Sequence, residues 1–381
     1  MKLTKLSLKK LSFGLAILAC LSISNLAWAM GKDILASCSN DKTIKIWDIS
    51  KPEKDACIKT LTGHTKDVNS IAFNPYDPNQ LASGSSDNTI KIWDLPRPEK
   101  KECTKTLKGH TECINSIAFN PNNPNQLASC SNDKTIKIWD LSRPEDKECI
   151  KNLAGHIGAV ILIEFNPSNQ NQLASCSSDG SIKIWNLSKP EKDACIKTLT
   201  GHTTTVSTIA FNPYDHHQFA SGSLCGSIKI WDLSKPEKDA CIKTLNGRAY
   251  SISSIAFNPY DQNQLSSCSD NGSINFFNIS KPEKNAFIKY LTGHTAWINS
   301  IAFNPNNPNQ LASCSNDKTI KIWDLSKPTD KACIKTLTGH AEEINSIAFA
   351  PKTKNQKSFE KKMLKRSKDK KLSDVRIHFP E

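Results

Sequence analysis

Three side chains in the first quarter of the chain are of the types that hydrolases use for acyl transfer. His64, Ser83 and Asp87 could supply a base, a nucleophile and a group that orients the base. The same residue types return at a constant spacing further along the chain, whereas a catalytic site needs one unique constellation. Ser83 also precedes no strained elbow turn of the kind that exposes a nucleophilic serine. The repetition favours a structural role, and the sequence predicts no catalytic residue and no cofactor.

The constant spacing is a period of 46 residues. An aromatic residue followed by Asp or Asn occurs seven times at this step, and Gly followed by His occurs six times, with Arg248 replacing His after Gly247. The aromatic pairs are Trp47/Asp48, Trp93/Asp94, Trp139/Asp140, Trp185/Asn186, Trp231/Asp232, Phe277/Asn278 and Trp323/Asp324. The Gly-His pairs begin at Gly63, Gly109, Gly155, Gly201, Gly293 and Gly339. Such regularity indicates a repeat array whose copies share one local structure.

Each repeat carries the pattern of four short strands. In residues 63–108 these are VNSIAF, QLASGS, TIKIWD and CTKTL, separated by turn residues. The turn between the second and third strands contains Asp87 and Asn88, which favour a tight hairpin. A four-stranded sheet of this length cannot bury both faces alone, so the sheets must stack. Seven twisted sheets arranged radially close into a ring.

The two ends of the array support this closure. The array opens at a second strand, ILASCSND, and ends on an unaccompanied first strand, Ile344–Pro351. Joined, the two segments complete one sheet. The predicted fold class is therefore all-β, a ring of seven four-stranded antiparallel sheets, with N- and C-terminal strands sharing one of them.

Over about residues 30–351, the Gly-His, the turn Asp and the Trp-Asp at fixed offsets resemble the WD-repeat family. The resemblance implies a seven-bladed β-propeller, in which a His, a Ser, an Asp and a Trp form a buried hydrogen-bonded set within each blade. Carried over by position, the sets are His64, Ser83, Asp87 and Trp93; His110, Ser129, Asp133 and Trp139; His156, Ser175, Asp179 and Trp185; His294, Ser313, Asp317 and Trp323; and His340 with Ser37, Asp41 and Trp47.

Two adjacent repeats depart from this pattern. One keeps His202, Ser221 and Trp231 but has Cys225 where the Asp should stand. The next retains Ser267 alone, with Arg248, Asn271 and Phe277 at the other three positions. We expect these two blades to be the least rigid part of the ring, or a part released for another task.

Two segments of the chain, residues 114–142 and 298–326, are identical, so the shared residues describe a scaffold. Information about a partner must lie where the copies differ, which is just after Gly-His and just before the turn Asp. The family resemblance places both loops on one rim, commonly the partner-binding face. The sequence thus predicts a non-catalytic scaffold for a protein or peptide, with rim residues Trp297, Tyr250, Arg248, Leu224, Lys66, Glu112, Glu342 and Glu343. For Trp297, packing against a neighbouring blade is an equal alternative.

The N-terminus has the pattern of an export signal. Lysines up to Lys10 precede an uncharged stretch, and Ala27 and Ala29 fit a cleavage site. We expect residues 1–29 to be removed and the protein to be periplasmic or secreted. An uncleaved membrane anchor and a lipid-modified Cys20 are the alternatives.

The formal charge of +13 is concentrated at the ends of the chain. Residues 352–381 hold eleven Lys and Arg against four acids, whereas the repeats are nearly neutral. A solvated, disordered tail is the favoured interpretation. Binding of nucleic acid or an anionic membrane through this tail is the alternative function. The scaffold itself is expected to be a monomer.

Eleven of the fourteen cysteines follow the repeat. One series falls in the second strands and comprises Cys38, Cys130, Cys176, Cys268 and Cys314; another falls in the fourth strands and comprises Cys57, Cys103, Cys149, Cys195, Cys241 and Cys333. Second and fourth strands of one sheet lie roughly 10 Å apart, too far for a disulfide within a blade. Buried or small apolar roles are favoured over disulfides and metal ligation. No C-x-x-C pair is present, and no metal is predicted.

Overall fold

A computed structural model of the chain describes residues 33–98, 101–248 and 251–352. These residues form seven four-stranded antiparallel sheets, which are the blades of a β-propeller, so the predicted fold is confirmed. The predicted export signal, Tyr250 and all of the tail beyond Lys352 lie outside the described residues.

Each blade is one sheet with its strands in chain order, except the blade that joins the two ends. Blade seven contains β1 (Ile34–Ser39), β2 (Ile44–Asp48) and β3 (Cys57–Leu61), together with β28 (Ile344–Phe349). Blade one contains β4 (Val68–Asn74), β5 (Asp77–Ser85), β6 (Thr89–Asp94) and β7 (Cys103–Lys108); blade two β8 (Ile114–Phe119), β9 (Gln126–Ser131), β10 (Ile136–Asp140) and β11 (Cys149–Leu153); blade three β12 (Val160–Phe165), β13 (Gln172–Ser177), β14 (Ile182–Asn186) and β15 (Cys195–Leu199).

The remaining three blades repeat this arrangement. Blade four contains β16 (Val206–Phe211), β17 (Gln218–Ser223), β18 (Ser227–Asp232) and β19 (Cys241–Asn246); blade five β20 (Ile252–Phe257), β21 (Gln264–Ser269), β22 (Ser273–Asn278) and β23 (Phe287–Thr292); blade six β24 (Ile298–Phe303), β25 (Gln310–Ser315), β26 (Ile320–Asp324) and β27 (Cys333–Leu337). Short 3₁₀ turns precede five of the fourth strands, at Glu53–Asp55, Glu191–Asp193, Glu237–Asp239, Glu283–Asn285 and Thr329–Lys331.

The first strand of each blade lies at the centre of the ring and the fourth at its outside. First strands of neighbouring blades contact one another in a closed cycle, which ends with β28 against β4. Second and third strands are the most buried, whereas each fourth strand is exposed or half-buried except for one leucine. Because the second strands are buried on both faces, their sequences are continuous runs of small and apolar residues, such as LASCS.

The apolar core lies between blades rather than within them. Trp93 of blade one packs with Ile34, Ala36 and Ile44 of blade seven, and is 1% exposed. Burial of an aromatic side chain of this size contributes roughly 2–3 kcal/mol. Gly63 lies against the Trp93 ring, where an added Cβ would be 3.4 Å from the ring edge, and has a φ of +149°. Both constraints favour glycine before the His.

Blade seven closes the ring with both ends of the chain. β1 pairs with β28 in antiparallel register, from Leu35 opposite Phe349 to Ser39 opposite Ile344. The imidazole of His340 lies 2.7 Å from the hydroxyl of Ser37 and 2.7 Å from the carboxylate of Asp41. Closure therefore brings together residues that are about three hundred positions apart.

Two rings of side-chain hydrogen bonds join neighbouring blades. On the outside, a lysine of each fourth strand donates to backbone carbonyls of the next blade, as Lys335 does to Ile49 at 2.6 Å. These outer clamps are Lys59, Lys105, Lys151, Lys197, Lys243, Lys289 and Lys335. On the inside, an Asn or Ser of the first strand donates to the next first strand; these inner clamps are Asn69, Asn115, Ser207, Ser253, Asn299 and Asn345.

One inner clamp is missing, between blades three and four. Ile161 occupies its position and has no polar group to donate. In the same strand, Glu164 replaces the alanine of the other copies, and its Oε2 accepts a hydrogen bond of 3.0 Å from the amide of Phe211 in blade four. Burial raises the pKa of Glu164 to about 8. The two blades are thus joined at the opposite end of the strand.

Within the described part of the chain, no helix has the length and apolarity needed to span a bilayer.

Candidate functional site

The hydrogen-bonded set of blade one joins the Gly-His loop, the second strand, the hairpin turn and the third strand through one serine. The indole N–H of Trp93 donates to Ser83 Oγ at 2.8 Å. Ser83 Oγ lies 2.7 Å from His64 Nε2, and His64 Nδ1 lies 2.8 Å from Asp87 Oδ2. Because the indole can only donate, the serine oxygen accepts from it and the serine proton goes to Nε2. The imidazole proton therefore resides on Nδ1 and is donated to the aspartate.

The charges in this set follow from burial and from these hydrogen bonds. Burial lowers the pKa of His64 more than the neighbouring carboxylate raises it, so the imidazole is neutral at pH 7. Burial opposes ionisation of Asp87, but hydrogen bonds from Thr89, the Thr65 amide and His64 outweigh it and lower its pKa to about 2. The set thus holds an ionised aspartate beside a neutral histidine.

The arrangement has the order of a hydrolytic triad but not its accessibility. In such a triad the serine oxygen is free to attack a substrate carbonyl. Ser83 is 0% exposed and its oxygen is already held by the Trp93 indole. No substrate can reach it without displacing the core, which argues for a structural role.

Four other blades repeat the same three bonds. The Trp–Ser, Ser–His and His–Asp distances lie between 2.7 and 2.9 Å in all of them: blade two with His110, Ser129, Asp133 and Trp139; blade three with His156, Ser175, Asp179 and Trp185; blade six with His294, Ser313, Asp317 and Trp323; and blade seven with His340, Ser37, Asp41 and Trp47. The structure brings together every residue that the sequence assigned to these sets.

Blade four has the set without its carboxylate. Trp231 donates to Ser221 at 2.7 Å, and His202 Nε2 lies 2.6 Å from the same hydroxyl. His202 Nδ1 lies 3.1 Å from the hydroxyl of Ser227, since no aspartate is available. Burial and the nearby Lys229 lower the pKa of His202 to about 4. Cys225, at the aspartate position, is exposed.

Blade five is repacked around substituted residues. Its serine, Ser267, is fully buried and its hydroxyl has no hydrogen-bond partner in the structure, because the His and Trp of the other blades are absent. Phe277 fills the Trp position and contacts Phe287, a residue that replaces a cysteine of the fourth strand. The Arg248 guanidinium lies 4.2 Å from the centre of the Phe287 ring. Arg248 is therefore engaged with the outermost strand.

The two loops that vary between copies lie together on one rim. Their backbones are hydrogen-bonded, as between Leu224 N and Thr205 O at 3.0 Å and between Asn316 N and Trp297 O at 2.9 Å. We define the variable rim as the Gly-His loops and the hairpin turns between the second and third strands. Trp297 is 54% exposed and Leu224 48% exposed, so neither side chain is packed into a neighbouring blade.

The variable rim is divided into an apolar and a charged part. Three large exposed apolar residues lie on this rim, Ile157 in blade three, which is 81% exposed, Leu224 in blade four and Trp297 in blade six. We call these three residues the apolar arc. The charged part lies on blades seven, one and two, with Lys66 and Glu112 exposed. Glu342 of blade seven pairs with Lys318 of blade six at 3.1 Å, and Glu343 accepts from the Asn40 amide at 3.1 Å.

Several informative residues escaped the sequence argument. Ile157 and Glu164 are each unlike the corresponding residues of the other six copies, as is Phe287. Comparison of the copies position by position along the strands would have found them. The clamp lysines gave no such signal, because they are shared by all copies and resemble ordinary exposed strand residues.

The cysteines behave as two groups. All thirteen cysteines in the described residues are free thiols. Those of the second strands are fully buried, and burial raises their pKa. The pKa of Cys268, for example, is raised to about 12. Most of those in the fourth strands are exposed. Over the same described ranges, no group of three or more His, Cys, Asp or Glu is arranged to hold a metal ion.

Comparison with known proteins agrees with this architecture. Residues 16–139 match a family model described as EIPR1 beta-propeller. Residues 147–186, 193–232, 239–278, 285–324 and 331–355 match the model described as WD domain, G-beta repeat. The five WD-domain segments begin at steps of 46 residues, and together the matched segments cover nearly all seven blades.

Curated relatives match over about one repeat. The nuclear distribution protein PAC1 of Candida tropicalis is 53% identical over 47 residues, 12% of this chain and 9% of that protein. PAC1-1 of Uncinocarpus reesii is 54% identical over 44 residues, 11% of this chain and 9% of that protein. PAC1 of Candida albicans is 56% identical over 43 residues, 11% of this chain and 8% of that protein. The chain thus spans less than a tenth of the length of these relatives.

Seven radial blades with a buried Trp–Ser–His–Asp set in five of them define a repeat propeller built on one recurrent hydrogen-bond network. The segments that the family models match contain these sets. The chain belongs to the WD-repeat β-propeller family.

Proposed function

We propose that this protein is a non-catalytic scaffold that holds a protein or peptide partner on the apolar arc of its variable rim. The observation that carries the proposal is the exposure of Ile157, Leu224 and Trp297 on one rim, at blades three, four and six. Large apolar side chains gathered on one face of a folded protein mark an interaction surface more often than isolated ones do. Trp is also among the residues that most often anchor an interface.

The absence of a catalytic role is supported by how the reactive residue types are used. Each His–Ser–Asp trio is part of a set in which the serine is buried and bonded to an indole. The PAC1 resemblance is confined to about one repeat, so it supports the scaffold role only through the fold that the repeat builds.

The arc can be tested with paired surface variants. Trp297→Ala combined with Leu224→Ser should abolish capture of the partner by the immobilised full-length protein from an extract of the source cells. Ile334→Ser is the matched control, because Ile334 is a 41% exposed apolar residue on the outermost strand of blade six. Both proteins should keep the thermal midpoint of the original. Undiminished capture by the arc variant would show that the partner uses another surface.

We also propose that the protein is exported and that residues 1–29 are removed. The proposal is supported by the four lysines up to Lys10, the uncharged stretch after them and the small residues Ala27 and Ala29. Intact-mass measurement of protein from the source cells should give an N-terminus at Met30. A chain that still begins at Met1 would contradict cleavage.

A further inference from the structure

Five blades contain a pocket of hydrogen-bond donors that encloses one carboxylate. In blade one, Asp87 Oδ2 accepts from His64 Nδ1 at 2.8 Å and from the Thr65 amide at 3.0 Å. Asp87 Oδ1 accepts from the amide of Thr89 at 3.0 Å and from its hydroxyl at 2.6 Å. Asp41, Asp133, Asp179 and Asp317 are held in the same way. The pocket is built for two oxygen atoms that share a negative charge.

Blade four has this pocket but no carboxylate. His202, Thr203 and Ser227 stand where blade one has His64, Thr65 and Thr89. Cys225 takes the place of the aspartate, with its sulfur 3.0 Å from the Ser223 hydroxyl and 3.3 Å from the Ser227 hydroxyl. Here the hydroxyls of Ser223 and Ser227 face one sulfur atom, and His202 Nδ1 contacts the Ser227 hydroxyl instead of a carboxylate. In the five other blades the corresponding donors bind the two oxygens of an aspartate.

The thiol in this pocket is accessible and activated. Cys225 is exposed on the variable rim next to Leu224. Its partial burial opposes ionisation, but hydrogen bonds from Ser223, Ser227 and Thr203 outweigh it and lower its pKa to about 6. A thiolate that is populated at neutral pH and open to solvent is the form that peroxides oxidise. The buried cysteines of the second strands have raised pKa values and no access to solvent.

We propose that Cys225 is an oxidation site at which hydrogen peroxide produces a cysteine sulfinate, and that this sulfinate completes the hydrogen-bond set of blade four. In the first step the thiolate sulfur attacks one peroxide oxygen, the O–O bond breaks, and sulfenic acid and hydroxide form. In the second step the sulfenate sulfur attacks another peroxide molecule, giving the sulfinate and water. Each step oxidises the sulfur by two electrons and reduces one peroxide to the level of water.

The product matches the pocket in shape and charge. A sulfinate carries its sulfur one bond beyond Cβ, as aspartate carries its carboxyl carbon, and has two oxygens and one negative charge. Its oxygens would therefore take the positions of Oδ1 and Oδ2 and accept from His202, Thr203 and Ser227. Oxidation would thus stabilise blade four by supplying the negatively charged acceptor that it lacks. The site lies next to Leu224 of the apolar arc.

The first test is residue-specific oxidation of the full-length protein with increasing hydrogen peroxide. Peptide mass spectrometry should show a gain of two oxygens at Cys225 at peroxide concentrations at least tenfold lower than at Cys57, Cys103 and Cys333, which are also exposed. Equal or faster oxidation of those three thiols would overturn the proposal.

The second test measures what oxidation does to the fold. The sulfinate should raise the thermal midpoint by roughly 2–4 °C, Cys225→Asp should give a similar rise without peroxide, and Cys225→Ser should not respond to peroxide. In the unaltered protein, NMR titration should show the pKa of His202 rising after oxidation, because an anion then faces its ring. A lower midpoint on oxidation, or an unchanged His202 titration, would overturn the proposal whatever the variants do.

Discussion

At the scale of single residues, the serine at the centre of each set determines how well the set is satisfied. Ser83 accepts from Trp93 and donates to His64, whereas Ser267 occupies the same place in blade five with neither partner. A buried hydroxyl stabilises only when it is paired, and an unpaired one costs free energy. The same residue at equivalent positions should therefore have opposite effects.

This contrast can be measured with two matched substitutions. Ser83→Ala should lower the free energy of unfolding by about 2 kcal/mol, because it leaves the Trp93 N–H and His64 Nε2 unsatisfied. Ser267→Ala should leave stability unchanged or raise it slightly, because it removes an unpartnered hydroxyl. Denaturant titration of both variants checks the prediction. Equal losses in the two would contradict it.

The aspartates of the sets determine how stability depends on acid. The folded pKa of Asp87 is about 2, below its ordinary value of 3.8, so the stability that its ionised form contributes is present above about pH 4 and is lost as the pH falls towards 2. Stability measured from pH 7 down to pH 2 should fall in this window, and Asp87→Asn should reduce the slope. A slope unaffected by the substitution would assign acid sensitivity to other groups.

At the scale of the strand, the contacts between first strands hold the blades in register. Six of seven junctions have an inner clamp, and the seventh has Ile161 at the clamp position. The junction without a clamp leads into blade four, which also lacks its aspartate. The junction without an inner clamp and the blade without its aspartate are therefore adjacent.

Restoring the clamp should stiffen this junction. Ile161→Asn would place an amide where Asn115 donates to Val160 O at 2.9 Å one blade earlier, so it should donate to the Val206 carbonyl. A neutral hydrogen bond of this kind contributes about 1 kcal/mol. Hydrogen exchange of β12 and β16 should slow, and Asn115→Ile should accelerate exchange between blades two and three. Faster exchange in Ile161→Asn would show that the isoleucine contributes more by packing.

At the scale of the whole molecule, stability depends on closure of the ring. Blade seven takes three strands from one end of the chain and β28 from the other. Without β28, β1 would have an unpaired edge and blade one would lose a neighbour. Closure thus couples the two ends of the chain to every junction in the ring.

Two truncations separate the roles of β28 and the tail. A chain that ends after residue 343 lacks β28 and should lose the single cooperative unfolding transition. Its thermal midpoint should fall by more than about 10 °C. A chain that ends after Lys352 keeps all 28 strands and should unfold at the original midpoint. Differential scanning calorimetry of the two truncated chains tests this prediction. A stable, cooperative chain without β28 would contradict the importance of closure.

The sequence by itself determined the period, the four strands of each repeat, the number of blades and the joining of the two ends. It could do so because the alternation of apolar and polar residues and turn residues such as Asp87 act over a few positions, and these patterns recur in every repeat. The same locality, with the family resemblance, supplied the members of each hydrogen-bond set. These features need no knowledge of which side chain meets which neighbour.

Only the tertiary structure decided which differences between copies matter. Ser267 is left without a partner, Arg248 lies on Phe287, and Glu164 accepts from Phe211 of the next blade. Each outcome depends on contacts between strands that belong to different repeats, or on a residue whose usual partner is absent. A single repeat carries no information about such contacts, because the direction of a side chain is set by the space that the neighbouring blade leaves for it.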